Sequence, residues 1–454
     1  MITRTPAFRS TREPVNRSNR GAILIIVLWI VFGLVALTLY FADSMKSQLH
    51  VGDNILRNAS AYAAIDGAAR YATVVLTAFA SEGEPPLSTD YTAEEILIGE
   101  VTCWFIGREV DLEPDQNPVF GFIDEASKIN LNTATLAMLE ALPEMPPEFA
   151  AAIIDWRDTN TETTEQGAED NAYASLDPPR LPKNGPFETV GELRLVYNST
   201  LHLLLGEDTN RNGALDANED DASLAYPSDD SNGVMRPSLL DLVTVYSRQP
   251  NTTSTGGNRL NVTTTEARPR LQQLLASALS ESRATEIISG LGGRPIRSVA
   301  EFMIRGNFTA AEFETIESQL TASEGDYAEG LVNVNTAPAA VLACLPGIGV
   351  EHAATVVNYR LSYPDGLTSI AWLAEVLADD AIVAAGPFIT GQSYQYSADI
   401  AAVGAFGRGY ARSRFVFDLS DGPPRIIFRE DLTGLGWALG PTVRANFASS
   451  STRS

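Results

Sequence analysis

From Ala22 to Ala42 the chain carries no charged side chain. A helix of about 21 such residues, at roughly 1.5 Å each, covers the roughly 30 Å hydrocarbon core of a bilayer, so this segment is long enough to cross a membrane once. In front of it stand Arg4, Arg9, Arg12, Arg17 and Arg20 against the single acid Glu13, whereas the whole chain of 454 residues has a formal net charge of −25. Arginines on one flank place that flank in the cytoplasm and the remainder on the far side. A cleaved secretory signal is the alternative. Its apolar region, however, spans only about 7–15 residues and ends in a small-residue cleavage site, and here the run is longer with nothing helix-breaking after it.

Beyond the span, Leu49, Ile55, Leu56, Ala59, Tyr62, Ala63, Ala69, Ala72 and Leu76 recur at mostly three- and four-residue steps, which predicts an amphipathic helix continuing the apolar one. Gly52 and Gly67 weaken that helix by about 1 kcal/mol each. Alternating segments at Ile98 to Leu112, Val119 to Ile123, Gln395 to Val403, Arg412 to Asp418 and Arg425 to Arg429 read as strands. The two strand-bearing regions flank a helical middle, which predicts one α/β domain interrupted by a large insertion.

That middle repeats itself. Asn130-Leu-Asn-Thr-Ala134 recurs as Asn333-Val-Asn-Thr-Ala337, and the copies align without a gap to Arg157 and Arg360, sharing Leu139/Leu342, Leu142/Leu345 and Pro143/Pro346. Each copy reads as a Thr-capped helix, a turn after Leu-Pro, and a second helix burying Ile153/Ile154 or Val356/Val357. A degenerate third copy begins at Asn261-Val-Thr-Thr-Thr265, after a polar linker. The turn Leu345-Pro-Gly-Ile-Gly349 is similar to the hairpin of DNA-binding helix-hairpin-helix repeats, whose backbone amides can hold a phosphate. The cations such a site needs are missing: Arg360 is the only one nearby, Glu351 opposes it, and the first copy lacks both glycines. A structural hairpin fits the strongly acidic chain better than a nucleic-acid contact.

The sharpest motif is Asp208-Thr-Asn-Arg-Asn-Gly-Ala-Leu-Asp-Ala-Asn-Glu219. Oxygen side chains at loop positions 1, 3, 5 and 9, glycine at 6 and glutamate at 12 have the spacing of an EF-hand calcium loop. Calcium takes six to eight oxygens, so Asp208, Asn210, Asn212, the Ala214 carbonyl, Asp216 and a bidentate Glu219 form the expected ligand set; an acidic surface loop is the alternative. A second acidic cluster, Asp155, Asp158, Glu162, Glu165 and Glu169, reads as a metal site or a solvated loop. No HExxH, GxSxG or phosphate loop occurs, there are three histidines, and the two cysteines, Cys103 and Cys344, allow one bridge at most. These absences predict a protein that is not an enzyme.

A basic leader, a glycine and a half-apolar, half-amphipathic helix resemble the pilin and pseudopilin architecture. The ordered segments Phe122 to Ala134, Ile154-Asp-Trp-Arg-Asp158, Gly167-Ala-Glu169, Lys183-Asn-Gly-Pro-Phe187, Gly191 to Val196 and Leu331 to Pro338 resemble the K-type minor pseudopilins of type II secretion. The resemblance implies cleavage by a prepilin peptidase between Gly21 and Ala22. Ile26, at mature position five, stands where most pilins carry Glu and the K-type lacks it. It further implies an α+β fold with a pilin-like domain (81–125 and 391–440) after the leader (1–21) and the long helix (22–80). The all-α insertion of helix-hairpin-helix, SAM-like repeats then falls in regions 126–246 and 259–390, with a linker at 247–258 and a disordered tail at 441–454. Calcium, I- and J-type minor pseudopilins and the pseudopilus, and the inner membrane before assembly are the implied cofactor, partners and location, with the C-terminal domain periplasmic. The rival reading is a membrane-anchored DNA-uptake receptor.

Overall fold

In a computed structural model, residues 19–80, 83–108, 117–222, 224, 229, 231–236, 238–363 and 367–451 are described. The arginine-bearing leader, up to residue 18, lies outside the described residues, as do 109–112 of the first strand expectation and 452–454 of the tail. The chain divides into two units, Met1–Arg57 and Asn58–Ser454.

Helix α1 spans Asn19–Phe79 and contains Gly21 and Ala22. In the first unit its apolar side chains are exposed, Ile26 at 58% and Trp29 at 71% among them, and mean hydropathy over its most apolar stretch is 3.0, long and apolar enough to cross a membrane. Leu49, Ile55 and Leu56 are exposed too. In the second unit the packing face of α1 is Ala61, Ala64, Ile65, Ala68, Ala69, Ala72 and Leu76. Ala59 and Ala63, expected on that face, are exposed instead. Small side chains let the helix approach the sheet, and Gly67 is required by it: a Cβ there would lie 2.9 Å from the Ile98 side chain.

Among the described residues six strands form the sheet: β1 Ile96–Ile98, β2 Val101–Ile106, β3 Ile123–Asp124, β4 Gln395–Val403, β5 Tyr410–Asp418 and β6 Arg425–Asp431. Their order is β1-β2-β4-β5-β6, all antiparallel, with β3 also pairing β4. Strands from the two ends of the sequence are thus neighbours, and the insertion leaves the sheet after β3 and returns at β4. Alternation sorts the side chains by face. Tyr396, Ala398, Ile400, Ala402, Ala411, Phe415 and Phe417 join the α1 core, while Ser397, Asp399, Arg412 and Arg414 take the other face and are buried as well.

Within the insertion, the first copy forms α2, Leu136–Glu140, capped by the Thr135 hydroxyl, and α3, Pro147–Arg157. The second forms α4, Ala339–Leu342, and α5, Gly349–Arg360. Its cap position is Pro338, so the Thr cap expected in both copies exists only in the first. Arg157 donates to the carbonyls of Leu131 and Ala134, and Arg360 to those of Val334 and Ala337, which explains the shared arginine. Gly347 (φ +82) turns with its Cα against α-helical backbone: a Cβ would meet the Ala381 carbonyl at 2.2 Å.

The third copy, whose helices Arg268–Ala278 and Glu281–Gly290 pack together, shares a closure with the other two. Ile129-Asn130, Leu260-Asn261 and Val332-Asn333 each pair in parallel with a later dipeptide, Val243-Thr244, Leu320-Thr321 and Ile389-Thr390. Each Asn side chain accepts the amide two residues on, and each Thr hydroxyl does the same. One continuous core runs from Ile129 to Ile389, so the two helical regions are a single body. The expected linker 247–258 is part of it: Ser247 is buried, and Arg248–Pro250 pairs with Tyr327–Glu329. The tail is helical as far as Ser451. Helix α6, Gly440–Ser451, packs Val443 and Phe447 beside Trp104 and Leu439, because the sheet's second face has an apolar corner there that needs covering.

Candidate metal-binding loop

Residues 208–219 form a loop whose expected ligand residues are linked to one another by hydrogen bonds within the loop. Burial is deep, with Asp208 at 1% and Asn212 at 0% exposure. The Asp208 carboxylate accepts the amides of Asn212 and Gly213, both at 2.9 Å, and Gly213 holds φ +75, the conformation for which glycine is suited. Asn212 accepts the buried Ala214 amide at 2.8 Å. Glu219 reaches back across the loop to the amides of Thr209 (2.8 Å) and Asp216 (3.1 Å). Asp216 accepts from the side chains of Asn210 (2.6 Å) and Asn212 (3.1 Å).

Among the described residues, no three His, Cys, Asp or Glu side chains converge as a ready metal cage; the loop carboxylates face its own N–H groups. The donor set still fits a hard cation. Burial, reinforced by the nearby Asp208 charge, pushes Glu219 up to about 7, and burial likewise raises Asp208 and Asp216. The Asn210 side-chain oxygen is buried without a partner. Crowded, desolvated oxygens of this kind favour a proton or a bound cation.

Sequence reasoning missed what lies beneath the loop. Arg412 donates through Nε (2.8 Å) and Nη2 (2.7 Å) to Asp399, and through its other N–H groups to the carbonyls of Asn210 and Arg211. Arg108 donates to the Arg211 carbonyl as well. Asp399 also faces Arg414 at 3.2 Å and Arg108 at 3.7 Å, and Asp241 faces Arg108 at 3.3 Å. Burial alone would raise Asp399; the charge and hydrogen bonds of Arg412, then Arg414 and Arg108, outweigh it and hold the carboxyl well below the usual range. The signal was present as the alternation Ser397/Asp399 and Arg412/Arg414, but alternation does not tell a solvated polar face from one covered by an insertion.

The structure divides the second acidic cluster. Glu162 and Glu165 are exposed. Asp155 is fully buried and accepts the amides of Thr164 (3.0 Å) and Ala168 (2.7 Å). Both oxygens of Glu169 are buried without a partner, and burial followed by the charges of Asp155 and Asp158 raises its pKa. Cys103 and Cys344 are free and buried in different cores.

Residues 125–205 match a family model described as Type II secretion system (T2SS), protein K, and residues 332–385 match a second model with the same description. No curated protein sequence matches the chain. Among solved structures, a chain of "The Crystal Structure of the GspK-GspI-GspJ complex from enterotoxigenic Escherichia coli Type 2 Secretion System" is similar at 11% identity. The match covers 85% of this chain and 98% of that one with a TM-score of 0.38. The two models are distinct, yet both describe one secretion component, and each matches a part of the insertion that carries one of the two aligned copies, so over those two stretches this chain is similar to the type II secretion system protein K family.

Proposed function

We propose that this chain is a minor pseudopilin of type II secretion, which initiates and caps the pseudopilus as a non-enzymatic tip subunit in complex with I- and J-type minor pseudopilins. The observation that carries this is the insertion between β3 and β4, a single-cored body running from Ile129 to Ile389. A body of that size would obstruct a subunit stacked above it in a shaft but meets open space at an end. Ile26 supplies a second reason. A carboxylate at that position can pair with the buried amine of the neighbour already in place, and a later-added subunit without it leaves an ammonium unpaired in an apolar medium, at a cost of several kcal/mol. The first subunit has no such neighbour. Labelling of assembled filaments tests the position: signal at one end is expected, and regular signal along the shaft refutes it.

Before assembly the chain sits in the inner membrane through α1, with the rest periplasmic, after a prepilin peptidase has cut between Gly21 and Ala22. Mass measurement of the mature amino terminus should find Ala22 first. The paired helices α2/α3 and α4/α5 act as helix-hairpin-helix, SAM-like units in packing, not as DNA contacts, since the Gly347 turn lies against Ala381 rather than open to a phosphate.

Calcium is the ligand that suits Asp208, Asn210, Asn212, the Ala214 carbonyl, Asp216 and Glu219, where it would supply the positive charge that the buried oxygens lack. The same chemistry suits the unpartnered oxygens of Glu169. Binding to the folded state alone stabilises by RT ln(1 + [L]/Kd), so chelation should lower the melting temperature. Glu219→Gln should remove the larger part of that response and Glu169→Gln the remainder; an undiminished chelator response in both refutes the assignment.

A further inference from the structure

Next to the loop, a cavity of about 140 Å³ opens where three parts of the chain meet. Lys128 and Arg194 come from the insertion, Arg211 from the loop and Arg414 from β5, with Glu125 and Glu430 the only acids on the wall among the described residues. Arg211 and Arg414 are 6% and 7% exposed, and the Nε–H of each is buried without a hydrogen-bond partner.

Neighbouring carboxylates do not make up the deficit. Glu125 is engaged by Lys128 at 2.8 Å and by the hydroxyls of Thr244 and Ser397. Glu430 approaches Arg211 only to 3.5 Å. Asp399 is divided among Arg412, Arg414 and Arg108, and Asp241 between Arg108 and a 4.0 Å contact with Arg414. Among the described residues, the guanidiniums Arg108, Arg211, Arg412 and Arg414 have Asp399, Asp241 and Glu430 within ion-pair distance, and the buried Asp208 carboxylate acts on Arg108 and Arg412 from farther off. The idle buried Nε–H donors of Arg211 and Arg414 are costly unless an acceptor completes them, and an anion meets two guanidiniums best. Guanidinium forks match the planar and tetrahedral oxygens of carboxylates and phosphates.

We propose that this cavity is a small-oxyanion site, taking sulfate, phosphate or a free carboxylate between Arg211 and Arg414, with Arg194 at its mouth. The bound anion ties the loop, the sheet and the insertion together at one point. This holds whether or not the chain occupies a filament tip. The test uses the full chain in detergent micelles, with melting temperature followed against sodium sulfate, sodium acetate and sodium chloride at matched ionic strength. Sulfate stabilises most proteins by exclusion from their surface, so saturation is the criterion. A rise of a few degrees that saturates with sulfate, or with acetate if the natural occupant is a carboxylate, and is absent with chloride is expected. Arg211→Gln should weaken the apparent affinity about tenfold or more. Arg194→Gln, an exposed change that leaves the core intact, should weaken it by a smaller factor. No rise, a rise equal in chloride, or one that is linear and unchanged in both variants overturns the proposal.

Discussion

Replacing either partner of the fully buried Asp399–Arg412 pair should have unequal consequences, because the two are not equally replaceable. Asp399 is the shared counter-ion of Arg412, Arg414 and Arg108, at 2.7, 3.2 and 3.7 Å. Asp399→Asn keeps the shape but removes the charge. Arg414 and Arg108 retain Asp241, while Arg412, with 0% exposure, is left with two carbonyls and, among the described residues, no carboxylate within ion-pair distance. Stranding a buried ion this way costs roughly 3–5 kcal/mol. Arg412→Met strands much less. Asp399 keeps two arginines, the Arg211 carbonyl keeps Arg108, and methionine fills the stem volume, so the main loss is the donor to the Asn210 carbonyl, about 1–3 kcal/mol. The assay is the melting temperature of both variants in calcium and in chelator. Asp399→Asn should fall about twice as far as Arg412→Met in calcium. Equal falls, or a larger one for Arg412→Met, would show that loop docking rather than shared charge compensation holds this interface.

Further expectations follow from single positions. Burial pushes Glu317 up to about 7, against the hydrogen bonds it accepts from Ser369 and Ile370. The folded chain therefore holds a proton that the unfolded chain loses, so this contribution is full below about pH 4.5 and is lost as pH rises to about 7; Glu317→Gln should flatten a fall in melting temperature worth roughly 1–3 kcal/mol over that window. Asp399 acts in the opposite sense: its depressed pKa contributes stability above the ordinary Asp range that is lost on acidification, and Asp399→Asn should lack that acid-induced loss. Gly347→Ala, with its clash against Ala381, should destabilise by several kcal/mol, whereas Gly349→Ala, at φ +58 in open space, should cost about 1 kcal/mol; equal melting temperatures would refute the packed turn. Phe447→Ala should cost about 1–2 kcal/mol through its edge contact with Trp104 at 6.0 Å, and no change would mean that α6 contributes nothing to the sheet's corner.

What the sequence made legible is what local pattern controls. The strand expected at Gln395 to Val403 has those bounds in the structure, and the apolar run, the aligned copies and the loop spacing each rest on residues close together in the chain. Thr135 caps a helix because its hydroxyl reaches an amide three residues on. Pro338, at the same place in the second copy, has no such group, which a copy-by-copy reading of the side chains would have caught. The misses are long-range. The three parallel closures pair Asn130 with Thr244, Asn261 with Thr321 and Asn333 with Thr390, and no local window joins them. The supposed linker is polar because Ser247 and Arg248 hydrogen-bond to Asn130, Gln395 and Asp418, and polar composition alone looks the same when those partners are solvent.

The joint between sheet and insertion explains why a charged strand face could be buried at all. Each side has its own apolar core, from Ile129 to Ile389 in the insertion and between α1 and the sheet below it. Beside the ring contact of Tyr246 with Phe428, the contacts across the joint are polar: Arg412 to the loop carbonyls, Glu125 to Ser397, Asp124 to Asn333 and Thr336, and Arg248 to Asp418. Two apolar faces would adhere with little regard for register. Buried ions and hydrogen bonds instead add little net adhesion and tolerate one arrangement, since a small displacement strands a charge. The joint therefore fixes orientation more than it supplies stability. The 208–219 loop is one of its contacts, through the carbonyls that Arg412 and Arg108 reach, so neutralising the loop's buried carboxylates acts on how firmly the insertion is held to the sheet.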